Sequence, residues 1–136
     1  MDRMQYCIEK DKKNVEIKEI MAILKQTYWA NNRTEDIVKK SVENSLCYYV
    51  FDTDTKKLIG FARVITDWAT TYYLCDVIVD EKHRGKGIGK MMMQTITADD
   101  ALKHLRGLLV TRDAHGLYES YGFFRDTERC MQHNPE

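Results

Sequence analysis

The sequence predicts an α/β fold in which helices pack against a mixed β-sheet. Three observations predict it. Segments with helical spacing of apolar residues are interspersed with strand-like segments, a polar turn joins two strands as a hairpin, and a glycine-containing crossover joins two others. A hairpin joins antiparallel strands, whereas a crossover containing a helix joins parallel ones. We therefore expect strands of both directions in one sheet.

The first half of the chain predicts a strand, two helices and a hairpin. MQYCIE is a short strand, and apolar residues at helical spacing from Ile17 to Tyr28 predict a helix with Asn14 as its cap. Thr34 begins a second helix that runs to about Glu43, because acidic residues favour the amino end of a helix. SLCYYVFD and KLIGFARVITD are strands joined by the turn TDTKK.

The second half predicts the crossover and the end of the sheet. TTYYLCDVIVD has apolar residues at both odd and even positions, which indicates a central strand covered on both faces. A helix follows from Gly87 to about Ala98, and RGLLVT is a short strand. Residues from Asp113 to about Tyr121 predict a short helix, and GFFRDTERCMQ predicts one or two closing strands.

Length and composition predict one domain, residues 1–136, and exclude several function classes. Apolar residues make up 43% and charged residues 31% of the chain, as in soluble globular proteins. No apolar run reaches the roughly 18 residues of a membrane span, and the start lacks a secretory signal pattern, so we expect a cytoplasmic protein.

Lys plus Arg equals Asp plus Glu at 21 each, which argues against nucleic acid or membrane as a partner. The four dispersed cysteines predict no metal site.

Three of the seven glycines alternate at Gly85, Gly87 and Gly89, between a strand that ends at Asp80 and a helix. The free N–H groups of such a helix start bind anions. A side chain at the glycine positions would crowd a phosphate resting on those amides. Positive charge is concentrated around them on Lys82, Arg84, Lys86 and Lys90. The loop is therefore predicted to be a phosphate cradle.

Two common phosphate-binding loops do not fit this pattern. A P-loop needs Ser or Thr after its Gly-Lys, and here Met91 follows Lys90. The dinucleotide pattern needs a third glycine where Lys90 stands. The segment VIVDEKHRGKGIGK instead resembles the pyrophosphate-binding segment of the GNAT superfamily of acyl-CoA-dependent N-acetyltransferases. HGLYESYGFF is similar to the L-Y-x-x-x-G-F signature near the carboxyl end of that family.

This resemblance implies a fold and an acyl donor. The GNAT-like fold has a mixed, mostly antiparallel central sheet flanked by about four helices, with parallel strands that splay apart at the cofactor site. The donor is acetyl-CoA, without a metal, and its diphosphate rests on the glycine loop while its pantetheine arm follows the preceding strand. The residues implied to bind it are Val77, Ile78, Val79, Arg84, Gly85, Lys86, Gly87, Ile88, Gly89, Lys90 and Tyr118.

The resemblance also suggests catalytic residues. Tyr118 matches the tyrosine that commonly acts as general acid, while packing beneath the cofactor is the alternative. Asp76 is a candidate general base, or equally a structural partner for an arginine or a backbone amide, and strand alternation places it opposite Cys75 and Val77. Where the family often has a base, this sequence has Thr71.

The function implied is transfer of an acetyl group from acetyl-CoA to a primary amine of a small molecule or amino acid, by direct attack in a ternary complex. An arginine beside aromatic residues suits an acceptor with a carboxylate, and the predicted acceptor pocket contains Tyr28, Trp29, Arg33, Trp68 and Tyr73. A protein lysine or amino-terminal acetyltransferase and a non-catalytic acyl-CoA sensor remain as alternatives. A homodimer also remains open, because dimers are common in such families.

Overall fold

A computed structural model of the protein describes residues 5–136. The strands are β1 (Tyr6–Lys10), β2 (Leu46–Asp52), β3 (Leu58–Thr66), β4 (Thr71–Val79) and β5 (Arg106–Leu109). The helices are α1 (Ile17–Leu24), α2 (Glu35–Glu43), α3 (Ile88–Ala98) and α4 (His115–Glu119), with a 3₁₀ turn at Glu81–His83. Met4, the first residue of the predicted strand MQYCIE, lies outside the described residues.

The five strands form one sheet in the order β1-β2-β3-β4-β5. The first three neighbouring pairs are antiparallel, and β4 pairs with β5 in parallel. The mixed sheet and its parallel crossover, made by α3, confirm the predicted fold class. They place the glycine loop at the end of β4, between the two parallel strands.

Each face of the sheet has its own hydrophobic core. On one face, Met92 and Met93 of α3 are fully buried together with Leu74, so the methionine run serves helix packing. On the other face, residues of α1 and α2 pack against Phe61 and Ile78. The core thus encloses β3 and β4, from which the candidate site is built.

The far end of α3 is fixed by polar contacts. Asp99 follows the helix directly and accepts a hydrogen bond from the Tyr48 hydroxyl, at 2.5 Å between oxygens. The Lys10 ammonium lies 3.1 Å from the same carboxylate, whose side chain is 8% exposed. These contacts join α3 to β1 and β2 across the sheet.

The first helix is shorter than predicted at both ends. Asn14 has a positive φ of 67° and is not the cap, because Glu16 precedes the first helical residue. Tyr28 lies beyond the helix, which ends at Leu24. The buried hydroxyl of Thr27 donates to the Leu24 carbonyl at 2.7 Å and accepts from the Ala30 amide at 3.0 Å, so it ends the helical ladder. The predicted second helix is confirmed, with Thr34 accepting from the Ile37 amide.

The predicted closing strands are wrong, because no strand follows β5 within residues 5–136. The segment carries paired charges that form local contacts instead. Arg129 donates through its backbone amide and its guanidinium to Asp126, at 3.2 and 2.7 Å, which favours a turn. In the same described range, no helix is both long and apolar enough to cross a membrane.

Candidate active site

β4 contains a bulge at Asp76. Cys75 pairs with Arg63 and Ile78 pairs with Phe61, so β4 has one more residue in this interval than β3. Asp76 has a φ of 52°, which is unusual for a residue other than glycine. The expected alternation between Cys75 and Asp76 is therefore broken, because the Asp76 carboxylate turns toward Arg63, the cross-strand partner of Cys75.

Three donors hold the Asp76 carboxylate. Trp29 donates through its indole Nε1 to Oδ1 at 3.0 Å, Arg33 through Nη1 to Oδ2 at 2.7 Å, and Arg63 through Nε to Oδ2 at 2.8 Å. The side chain of Asp76 is only 2% exposed. Burial acts to raise its pKa, but the hydrogen bonds and charges of the two arginines outweigh it and hold the pKa below its ordinary value. This geometry favours the structural alternative for Asp76 over the general base.

The two parallel strands separate just before the bulge. β4 and β5 pair only from Thr71 with Arg106 to Leu74 with Leu109, while β4 continues to Val79. Beyond Leu74, the β5 side of β4 opens into a cavity of about 540 Å³. The splayed strands that the family resemblance implied are thus present next to the bulge.

The glycine loop bounds one end of this cavity. Gly85 and Gly87 have left-handed backbones, with φ of 79° and 80°, and Gly87 is the residue that caps α3. A Cβ added at Gly85 would have no protein atom within 4 Å, so the loop is open on that side. The first amides of α3 have no partner within the helix. The residues of this first turn, Ile88, Gly89 and Lys90, line the cavity.

Gln26 fixes the start of the glycine loop and was missed by the sequence reasoning. Its side-chain amide donates to Asp80 Oδ1 at 2.7 Å and accepts from the Glu81 amide at 3.0 Å. Arg84 adds a second tie by donating from Nε to the Val79 carbonyl at 3.0 Å. Gln26 follows α1 in a polar stretch, so no sequence signal distinguished it from a solvated side chain.

The cavity brings together most of the predicted cofactor residues. Lys86 is the exception, since it does not line the cavity. Asp113, Ala114 and Leu117 form part of the opposite wall, on the α4 side. The predicted residues that line the cavity are Val77, Ile78, Val79, Arg84, Gly85, Gly87, Ile88, Gly89, Lys90 and Tyr118.

Tyr118 lies on α4 with its side chain in the core beside the cavity. It is 9% exposed, and its ring contacts Phe123 edge to face with centroids 6.1 Å apart. Burial, with a smaller effect from the Asp113 charge, raises the pKa of Tyr118 to about 12. The phenol is therefore protonated throughout the physiological pH range.

Only two of the five predicted acceptor residues line the cavity. Tyr28 and Trp29 line the cavity, whereas Arg33 is bound to Asp76 without lining it. Trp68 is 57% exposed in the turn between β3 and β4, and Tyr73 is 38% exposed on β4. Trp68 and Tyr73 do not line the cavity.

Thr71, at the position where the family often has a base, donates its hydroxyl to the Arg106 carbonyl at 2.7 Å.

Comparison with known proteins agrees with this fold. Residues 44–124 match the acetyltransferase (GNAT) domain family. A crystal structure of a GNAT-family protein from Xanthomonas campestris pv. campestris is 36% identical, with a TM-score of 0.87 over 96% of this chain and 93% of the other. A Gibberella zeae protein named as an acetyltransferase is 26% identical over 85% of this chain and 77% of its own length.

A third relative is similar in fold alone. It is an acetyltransferase structure from Clostridium acetobutylicum solved with acetyl-CoA, 15% identical, with a TM-score of 0.68 over 95% of this chain and 96% of the other. The mixed five-stranded sheet with its four helices is the fold of these relatives and places the chain in the class of acyltransferases. Within that class, the chain belongs to the GNAT acetyltransferase family and is an acyltransferase.

Proposed function

We propose that the protein transfers an acetyl group from acetyl-CoA to the primary amine of a small molecule or amino acid, by direct attack in a ternary complex. The observation that carries this proposal is the cavity that joins the glycine loop, the bulged part of β4 and Tyr118. The family membership supplies the reaction class. The Clostridium acetobutylicum relative, solved with acetyl-CoA, supports the choice of donor.

The glycine loop suits the diphosphate of the donor. The left-handed backbones of Gly85 and Gly87 direct the chain into α3 without a side chain on the open side. The amides of the first turn and the positive end of the helix dipole attract an anion. Arg84 and Lys90 line the same end of the cavity and add positive charge.

The exposed edge of β4 suits the pantetheine arm. Val77, Ile78 and Val79 line the cavity after the pairing with β5 has stopped, so an extended ligand has access to backbone groups there. Such strand addition provides affinity through the main chain. A backbone N–H of Val77 or Ile78 is the proposed donor to the oxyanion that develops during transfer.

Tyr118 is the proposed proton donor. The neutral amine attacks the thioester carbonyl carbon, a C–N bond forms, and the C–S bond breaks. The departing thiolate takes the hydroxyl proton of Tyr118, and the new ammonium loses its proton to water, which then re-protonates the tyrosine. The raised pKa of Tyr118 keeps this proton in place until the thiolate leaves.

Asp76 has no part in this proton transfer. Both of its oxygens accept hydrogen bonds, and its lowered pKa makes it a poor base. Its proposed role is to hold the bulge and the α1–α2 loop in place. The acceptor is proposed to bind against the exposed ring surfaces of Tyr28 and Trp29.

Two measurements test the proposed function. Acetyl-CoA at ~100 times its dissociation constant should stabilise the protein by about 2.7 kcal/mol in thermal unfolding. Thiol release should then be measured across a panel of amines and amino acids, and at least one should support turnover. Absence of a thermal shift would end the proposed donor site, and binding without turnover of any amine would end the proposed reaction.

A further inference from the structure

Two adjacent aromatic residues reach to opposite sides of the opening between β4 and β5. The guanidinium carbon of Arg112, which follows β5, lies 3.8 Å from the centroid of the Tyr28 ring. Trp29 donates its indole N–H to Asp76 in β4 at 3.0 Å. The two rings contact each other edge to face, with centroids 4.9 Å apart. We call Tyr28 and Trp29 the aromatic bridge, because they connect the two sides of the opening.

The bridge is held at both ends. On the β4 side, Arg33 of the same loop also binds Asp76, at 2.7 Å. On the β5 side, the guanidinium of Arg112 stacks on the electron-rich face of Tyr28. Arg112 forms no ion pair with a carboxylate anywhere in residues 5–136, so no carboxylate competes with Tyr28 for its guanidinium.

The bridge lines the cavity that the acyl donor is proposed to occupy. Tyr28 and Trp29 line the cavity together with Val77 and Tyr118, the residues proposed to contact the thioester and the leaving sulfur. The rings also leave surface for an acceptor, since Tyr28 is 51% and Trp29 44% exposed. An amine that approaches the thioester therefore passes the bridge.

We propose that the aromatic bridge limits the size of the acceptor. This inference rests on the proposed function. A lysine within a polypeptide brings main chain on both sides of its side chain, and such an acceptor needs an open groove that runs across the reaction end of the cavity. The bridge connects β4 to the segment after β5 at that place, so it admits a small amine and excludes a peptide.

The test compares kcat/KM for the best small amine with kcat/KM for a lysine-containing peptide. In the wild-type protein the small amine is strongly preferred. Tyr28→Ala removes the ring, and Arg112→Ala removes the stacking partner, so we expect kcat/KM for the peptide to rise, and the preference to fall, by about tenfold or more in the first variant and less in the second. Tyr28→Phe keeps the ring and should keep the preference. Ile37→Ala shortens an exposed side chain on α2 outside the cavity and should also keep it.

The outcomes separate this proposal from the one on which it rests. An unchanged preference in a Tyr28→Ala protein that still shows the wild-type thermal shift with acetyl-CoA would overturn the role of the bridge and leave the proposed function intact. Equal use of the peptide and the small amine by the wild-type protein would also overturn the role of the bridge and leave the proposed function intact. Binding of acetyl-CoA by the wild-type protein without turnover of any amine would overturn both.

Discussion

The indole N–H of Trp29 and the Oδ1 atom of Asp76 are joined by a hydrogen bond of 3.0 Å across 47 residues of sequence. This bond connects the α1–α2 loop to the bulge of β4. Asp76 holds a left-handed backbone that a residue other than glycine seldom adopts. The position of the loop and the shape of the strand edge therefore depend on one carboxylate.

Asp76→Asn should strongly destabilise the protein. The change removes the buried charge that two partly buried guanidiniums share, and breaking a buried ion pair typically costs about 3–5 kcal/mol. Because the pKa of Asp76 is lowered in the folded state, its contribution is present above the ordinary value of about 3.9 and is lost as the pH falls through the folded value. The free energy of unfolding, measured with urea at pH 7 and in acid, should show a difference that shrinks on acidification.

The matched control is Ser45→Ala. Ser45 accepts a hydrogen bond from Arg63 at 3.0 Å but does not touch Asp76, so its loss should cost only about 1 kcal/mol. Equal effects of the two variants would contradict a central role for the carboxylate. If Asp76 were the general base instead, the variant would lose a titration step from its pH–rate profile.

Tyr118→Phe should slow transfer and preserve donor binding. Loss of a general acid typically reduces the rate by about 100-fold or more. The ring remains to pack against Phe123, so the thermal shift with acetyl-CoA should change little. Tyr121→Phe is the control, because Tyr121 packs against the core without lining the cavity. Turnover at the wild-type level in the Tyr118 variant would exclude its role as proton donor.

The pH dependence of turnover tests the raised pKa of Tyr118, separately from its role as proton donor. Its pKa of about 12 leaves the hydroxyl protonated in alkaline solution, while the acceptor amine loses its proton as the pH rises. The rate should therefore increase toward high pH without a descending limb at the ordinary tyrosine pKa of about 10. Steady-state kinetics between neutral pH and the limit of stability would show this, and a fall near pH 10 that Tyr118→Phe abolishes would contradict it.

Gly85→Ala should weaken acetyl-CoA binding. The left-handed backbone at Gly85 costs an alanine roughly 1–2 kcal/mol, and the new methyl group would enter the open side of the loop. We expect a lower melting temperature and a smaller shift with acetyl-CoA. Gly116→Ala is the control, because that glycine also has free space but is helical, where alanine is favoured. A full shift in the Gly85 variant would argue against the cradle.

The order of elements and the position of the glycine loop could be predicted because both follow from local patterns. Residues 71–79 have the composition of a central strand, and Thr34 carries the signal of a helix start. The predicted closing strands failed because the paired charges of Arg129 and Asp126 form a turn that hydrophobic spacing does not show.

The contacts that shape the site could not be predicted in the same way. A bulge at Asp76 has no signature in the alternation of side chains, since its left-handed backbone is maintained by partners distant in sequence. Arg63, which provides one of those partners, lies in a strand and had no feature that marked it. The stack of Arg112 on Tyr28 likewise depends on how two loops meet across the sheet.

The contacts at the carboxyl end of α3 help to fix the orientation of the amino end of that helix. Tyr48 and Lys10 hold Asp99, which follows the helix, whereas Gly87 and the first amides lie at the cavity. Eleven residues separate these ends, a rod about 16 Å long. The orientation of the first amides of α3 therefore depends in part on two side chains from β1 and β2, which lie at the far end of the helix from the proposed donor site.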